Sequence, residues 1–499
     1  MAEAALQACG VNDPLPQQPE STTPPGPIQP VTNMQFVSTR GRAPSLGFCD
    51  VLLQGLARDG GLYLPQEWPQ LDTETIAGFA NKPYGEVAKA VLSPFVGEEI
   101  PADVFSAMVD EAYATFRHDA VVPLVQLAPN HFVLELFHGP TMAFKDVAMQ
   151  LLARMMDHVL EQRGEHATII GATSGDTGGA AIEAFRGRAN TTMFILFPDG
   201  RVSDVQRRQM TTVDDPAVHP LAVRGNFDDC QALVKALFND QGFRDEVSLS
   251  GVNSINWARI MAQVVYYFTA ATTLGAPERE VSFCVPTGNF GDIFAGYVAK
   301  RMGLPIRDLV IATNTNDILA RFVRTGRYEA KGVTATASPS MDIEVSSNFE
   351  RLLFEASGRD SGAVNAWMDS LKQSGAFEVP PAVLEAIRSE FSAGRCGEDE
   401  TAAEIAHTLE ATGYLLDPHT AVGLKVARDQ AEAGIAMITL GTAHPAKFPD
   451  AVEAACGVRP ALPHWQAHLM AGEERFGTID NEEAELKRLM RDSIATTTS

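Results

Sequence analysis

Positive charge is scarce in this 499-residue chain: 39 Lys and Arg stand against 63 Asp and Glu, a formal net charge of -24. Such a surface repels phosphate backbones and anionic headgroups, which argues against nucleic acid or an anionic membrane as partner. An anionic small molecule must be captured by a few local cations and backbone N–H groups, against the field of the whole protein. Long apolar runs are lacking too. None approaches the roughly 18 residues of a membrane span, and the first 33 residues contain neither a basic residue nor a long apolar stretch; neither membrane insertion nor secretion is expected. The six cysteines (Cys9, Cys49, Cys230, Cys284, Cys396, Cys456) are scattered, with no C-x-x-C pair and no His/Cys cluster at zinc spacing. They read as reduced structural thiols in a cytoplasmic protein without a metal site.

What is present is a large apolar fraction, 45%, enough for a sizeable core; the length alone suggests roughly three domains. Residues 1–33 hold Pro14, Pro16, Pro19, Pro24, Pro25, Pro27 and Pro30 and read as a disordered tail. Residues 34–122 are mainly helical in pattern and form an accessory N-terminal domain. From 123 to 457 short apolar strands alternate with helices, with strands predicted at 131–137, 167–170, 192–197, 218–223, 281–285, 309–312 and 435–440. This alternation implies an α/β class with parallel sheets covered on both faces. Residues 458–499 read as a C-terminal helical tail, solvated and frayed at its end.

Four loops carry the chemistry. A strand leads into Phe137-His-Gly-Pro-Thr-Met-Ala-Phe-Lys-Asp146, and an amphipathic helix with Val147, Leu151, Met155 and Val159 on one face leads away. Lys145 therefore stands at the mouth of a strand-turn-helix unit, where parallel sheets present ligands; read in isolation, it is equally a solvated first-turn lysine. The second loop, Gly171-Ala-Thr-Ser-Gly-Asp-Thr-Gly-Gly179, offers glycine amides, the hydroxyls of Thr173, Ser174 and Thr177, and a helix N-terminus to an anion. It is neither a G-x-x-x-x-G-K-[ST] loop nor a dinucleotide fingerprint, which disfavours ATP and NAD. The third, Pro286-Thr-Gly-Asn-Phe-Gly-Asp292, has the geometry for one dianionic phosphate. The fourth, Gly441-Thr-Ala-His-Pro-Ala-Lys-Phe448, places Thr442 and His444 at a strand's carboxyl end. Each turn read singly is also ordinary helix capping. Together, one lysine and a dedicated phosphate cup match pyridoxal phosphate (PLP), whose aldehyde needs an amine and whose phosphate needs an anchor away from the reacting carbon. A sugar-phosphate enzyme using Lys145 as base or electrophile is the competing reading.

At this level of detail the chain resembles the threonine synthase family. The matching runs are Ser38-Thr-Arg-Gly41, Leu53 to Pro65, the Lys145 run, Gly171 to Gly178, Ser254-Ile-Asn-Trp-Ala-Arg259, Pro286 to Asp292, Pro339-Ser-Met-Asp-Ile343, Ser347 to Phe354 and Thr442 to Phe448. The resemblance covers about residues 34 to 455 in order; Met142 stands where many members carry Leu, a volume-conserving change. It implies PLP fold type II, with two parallel-sheet α/β subdomains and an N-terminal accessory domain. It also implies conversion of O-phospho-L-homoserine and water to L-threonine and phosphate by γ-elimination and β-hydration. A threonine-synthase-like phospho-lyase releasing 2-oxobutanoate, ammonia and phosphate is the alternative. Carried over by position, Lys145 would hold PLP covalently, Gly288, Asn289, Phe290, Gly291 and Asp292 would cup its phosphate, and Thr442 would meet the pyridine nitrogen. Thr173, Ser174, Asp176 and Thr177 are placed at the amino-acid carboxylate or the ring hydroxyl. Asn256, Arg259, Arg351 and Lys447 are candidates for the substrate phosphate. Oligomeric state is not legible.

Overall fold

The structure, a computed structural model, describes residues 34–497; the proline-rich tail expected over residues 1–33 lies outside them. The first described segment, Phe36–Ser38, pairs antiparallel with Tyr63–Pro65. Helices follow, as their periodicity predicts: in Tyr84–Val96 the side chains of Tyr84, Val87, Ala88, Val91, Leu92 and Phe95 are all buried, a three-four repeat that makes one apolar stripe. This N-terminal part is tied down by charge. Thr39 Oγ1 donates to Glu350 Oε1 at 2.5 Å, and Arg40 grips both oxygens of Glu350 at 2.7 and 2.9 Å.

Two sheets form the catalytic region. The larger has six strands in the order Phe391–Arg395, Ile306–Thr313, Val281–Pro286, Ala436–Gly441, His131–Glu135 and Leu124–Ala128. The first five run parallel, and Leu124–Ala128 pairs antiparallel with its sequence neighbour. That hairpin departs from a purely parallel expectation because Pro129 and Asn130, the latter at φ 58°, turn the chain in two residues. The smaller sheet is wholly parallel: Gly477–Ile479, Val218–Val223, Thr191–Pro198, Ala167–Ala172 and Leu249–Ser250. Every residue of Thr191–Pro198 is buried, as a strand covered on both faces requires.

All seven predicted strands are present, and the C-terminal segment differs from its expectation. It is not a solvated appendage: Gly477–Ile479 extends the smaller sheet, and the helix Glu483–Thr497 buries Leu486 and Met490 against Leu233, Val234 and Leu237. A three-residue strand is too short to show alternation, and a helix carrying this many charges hides two core positions. No helix among the described residues is long and apolar enough to cross a membrane.

Candidate active site

Residues that follow the carboxyl ends of four parallel strands line one cavity. Lys145, Asp176, Asp292 and Thr442 each come from a different strand. The Lys145 turn is built by its own neighbours. Asp146 accepts from Thr141 N at 2.8 Å and from Thr141 Oγ1 at 2.7 Å, and its buried carboxyl is pushed up to about 6. Phe144 N donates to Thr442 O at 2.9 Å, zipping the lysine turn to the fourth loop. Lys145 is thereby buried at the first turn of the helix Lys145–Arg163, its Nζ 3.3 Å from Asp176 Oδ2. Burial lowers its pKa, opposed by Asp176 and reinforced by Lys447 and Arg259.

The second loop is largely satisfied from within. Thr173 Oγ1 accepts from Gly175 N and Gly178 N, each at 2.9 Å. Asp176 takes Lys447 Nζ at 2.8 Å and Gln206 Nε2 at 2.9 Å on one oxygen and Lys145 on the other. Burial alone would raise its pKa; Lys447, Lys145 and His419 hold it well below the usual carboxylate range. Of the loop's candidates, Asp176 and Thr177 line the cavity, whereas Thr173 and Ser174 do not.

The third loop is the opposite case. Its carbonyls are pinned outward, Gly288 O by Ser346 Oγ at 2.7 Å and Asn289 O by Asn348 N and Nδ2 at 3.0 and 2.9 Å. Phe290 is held at φ 63°, uncommon for a bulky residue and costing on the order of 1–3 kcal/mol, with its ring packed on Phe349 and Phe391. A Cβ on Gly288 would lie 2.6 Å from Ser340 O. The helix Gly291–Arg301 begins here, and its first N–H groups have no intrahelical acceptor. Two buried polar atoms at the cavity have no partner: Asp292 Oδ2 and Arg259 Nε. Arg259 makes a single long bond, Nη1 to Val252 O at 3.3 Å, and burial lowers its pKa to about 10.

The remaining phosphate candidates sit elsewhere. Arg351 is buried and spends its donors on Tyr63 O, Ile255 O and Asn348. Asn256 caps the helix Trp257–Thr273 and donates to Leu52 O at 2.9 Å. Lys447, fully buried, bonds Asp176 and, at 2.8 Å, Thr141 O. None of these three lines the cavity. Sequence reading missed Ser254, Gln263, Ser340 and His419, which do. His419 Nδ1 lies 2.9 Å from Asp417 Oδ1, and Ser340 N donates to its Nε2 at 3.2 Å. Asp417 also accepts from the Thr420 hydroxyl, and Thr420 Oγ1 accepts from Thr442 N at 3.2 Å. The signal was the run Asp417-Pro-His-Thr420, which in sequence is indistinguishable from an ordinary capped helix start.

Comparison with known proteins agrees with this geometry. Residues 119–436 match the family of pyridoxal-phosphate dependent enzymes, and residues 35–113 and 420–490 match the N-terminal and C-terminal families of threonine synthase. The chain is 54% identical over 456 residues to threonine synthase of Pseudomonas aeruginosa, covering 91% of this chain and 97% of that one. The chain belongs to the threonine synthase family. It is also similar to PLP-bound threonine synthase from Brucella melitensis, a crystal structure with a TM-score of 0.90 at 67% identity, covering 92% and 99% of the two chains. Threonine synthase-like 2 of Mus musculus is 36% identical, covering 89% of this chain and 92% of that one. The fold is therefore PLP fold type II, and the chain is a PLP-dependent lyase of the threonine synthase family. The residues present fit that cofactor: a buried amine lining the cavity at Lys145, a glycine cradle that a Cβ would fill, helix N–H groups for a phosphate, and a hydroxyl at Thr442.

Proposed function

We propose that this chain converts O-phospho-L-homoserine and water to L-threonine and phosphate, with PLP on Lys145, its phosphate in the turn from Gly288 to Asp292, and Thr442 toward its pyridine nitrogen. The observation that carries the reading is the convergence of the Lys145 amine, that turn and the under-bonded Arg259 guanidinium in one cavity. When bound, PLP withdraws electron density from the substrate's α carbon, which makes loss of the β proton and departure of the γ phosphate accessible. A hydroxyl at Thr442 favours a protonated ring less than a carboxylate would.

Once released by the amino-acid substrate, the Lys145 amine is the group that moves protons as base and then as acid. Burial lowers its pKa and so favours the free amine, while Asp176, held in place by Lys447, stabilises the ammonium when a proton arrives. Arg259 is assigned to the substrate phosphate, because it is the one of the four candidates that lines the cavity, with Nε unpartnered and one long bond from Nη1 to Val252 O. Thr177 is assigned to the substrate carboxylate. Closure of residues 34–122 over the site through Thr39, Arg40 and Glu350 would keep water out until hydration. The domain limits read from sequence belong to this proposal, with the C-terminal segment joined to the smaller sheet. So does a cytoplasmic location, supported by the five described cysteines, all free thiols.

The test is product identity. O-Phosphohomoserine in deuterated solvent should give phosphate and L-threonine in near-equal amounts, with label on the γ carbon and only traces of 2-oxobutanoate. Equimolar 2-oxobutanoate and ammonia without threonine would overturn the synthase reading and leave the phospho-lyase.

A further inference from the structure

Asp292 has polar capacity that the fold leaves unused. Its Oδ1 accepts from the Tyr266 hydroxyl and, at 3.3 Å, from the Tyr267 hydroxyl, which also reaches Asp292 O at 2.9 Å. Gln263 Nε2 supports the pair by donating to Tyr266 OH at 3.2 Å. Oδ2 is buried and has no partner among the described residues, and Lys145, on the opposing helix, is ion-paired with Asp176 instead. The other charged or titratable groups on the cavity walls are Arg259, from the same helix as the two tyrosines, and Asp176 and His419. An ionised Asp292 would present an unpaired lone pair and a negative charge to a cup meant for a dianion. Helix N-terminal N–H groups ordinarily favour a carboxylate, but a phosphate bound in this turn would claim them.

We propose that Asp292 works as a carboxylic acid, with Oδ1 fixed as acceptor by the two tyrosines and Oδ2–H donating a hydrogen bond to the cofactor's phosphate. Burial supports this, raising its pKa to about 7 against the tyrosine hydroxyls and Lys145, and a dianion alongside raises it further. The inference rests on the placement of PLP above. It makes cofactor binding proton-linked: the donor is present below the raised pKa, and above it binding takes one proton from solvent, so affinity falls by up to about tenfold per pH unit.

Infrared difference spectra of wild-type and Asp292→Asn holoenzyme near neutral pH test it directly. A carboxylic-acid C=O band present in the wild type and missing in the variant is expected. Cofactor titrations across pH provide the second measurement. Asp292→Asn, a permanent donor through Nδ2, should bind PLP within roughly threefold of the wild type near neutral pH and lose the Asp292-linked fall above it. Asp292→Ala should bind roughly ten- to a hundredfold more weakly. Absence of the band, or Asn and Ala variants that weaken binding alike, overturns the proposal. An enzyme that forms threonine without the band sinks this inference alone, and one that shows the band but forms no threonine sinks the functional reading alone.

Discussion

Two glycine turns close on one cavity, each ends in an aspartate in the first turn of a helix, and the two aspartates respond oppositely to burial. Asp176 is surrounded by Lys145, Lys447 and Gln206 and is held ionised. Among the described residues the Asp292 carboxyl is hydrogen-bonded only by hydroxyls, and it is raised to about 7. Burial acts in the same direction on both, so the neighbours decide. The lesson is that a turn's sequence announces that an anion can be bound, while the partners supplied by other elements determine whether the turn is finished or waiting for a ligand. Thr173 has already taken two of its own loop's amides, and no side chain among the described residues does this for the turn from Gly288 to Asp292.

The largest effect belongs to the amine that stands between the two turns. Lys145→Ala should fold, lose the visible absorption of lysine-bound cofactor and lose turnover by roughly 10²–10⁴-fold or more. Absorption spectra and borohydride trapping check this; a reducible lysine adduct in the variant would move the cofactor's attachment to another residue. The comparison would then lose its centre.

Asp176→Asn comes next. It leaves Lys447, fully buried, facing an amide instead of a carboxylate, and breaking a buried pair in this way costs about 3–5 kcal/mol. Denaturant unfolding should register that loss even without cofactor. An unchanged midpoint would mean that the Asp176 cluster is not the finished, internally balanced turn described above. Gly288→Ala is smaller. The new Cβ would press on Ser340 O from 2.6 Å, backbone that has little room to move, so a penalty of about 1–3 kcal/mol is expected. Cofactor affinity should fall more than thermal stability does if the turn beneath Ser340 holds the cofactor's phosphate as proposed.

Much of this contrast was legible in the sequence, and the remainder was not for identifiable reasons. The strand cores, Lys145, the turn from Gly288 to Asp292 and Thr442 are local patterns, in which a β-rich run, a glycine turn and a helix start lie within about fifteen residues of one another. Arg351 and Asn256 were candidates for the substrate phosphate, each equally a structural hydrogen-bond partner, and Tyr63 O, Ile255 O and Leu52 O absorb their donors. Unsatisfied carbonyls are a property of the folded chain and leave no mark in residue types. Lys447 and His419 were hidden or misassigned for a related reason: their partners Asp176 and Asp417 give them meaning, and Asp176 lies far away in sequence, whereas Asp417 looks like a cap.

Per pH unit the smallest effect, and the sharpest test of the comparison, is the dependence of stability on pH. Cofactor-free protein is the right material, since ligand linkage then stays out of the curve. Asp176 has a folded pKa below its unfolded value near 3.9. Its contribution is fully present above that value and is lost as pH falls toward the folded pKa. Asp292 has a folded pKa raised to about 7, so the folded chain holds a proton that the unfolded chain releases. Its contribution is full below the unfolded value and is lost as pH rises from about 4 to about 7, levelling off beyond. Each group changes stability by at most about 1.4 kcal/mol per pH unit. Denaturant midpoints measured from about pH 3 to pH 8 should therefore show Asp292→Asn gaining on the wild type between pH 4 and 7. The deficit of Asp176→Asn should shrink only below about pH 4. Parallel curves for the two variants would mean that the two turns share one electrostatic environment, and the division of labour between a finished turn and a waiting one would fall with it.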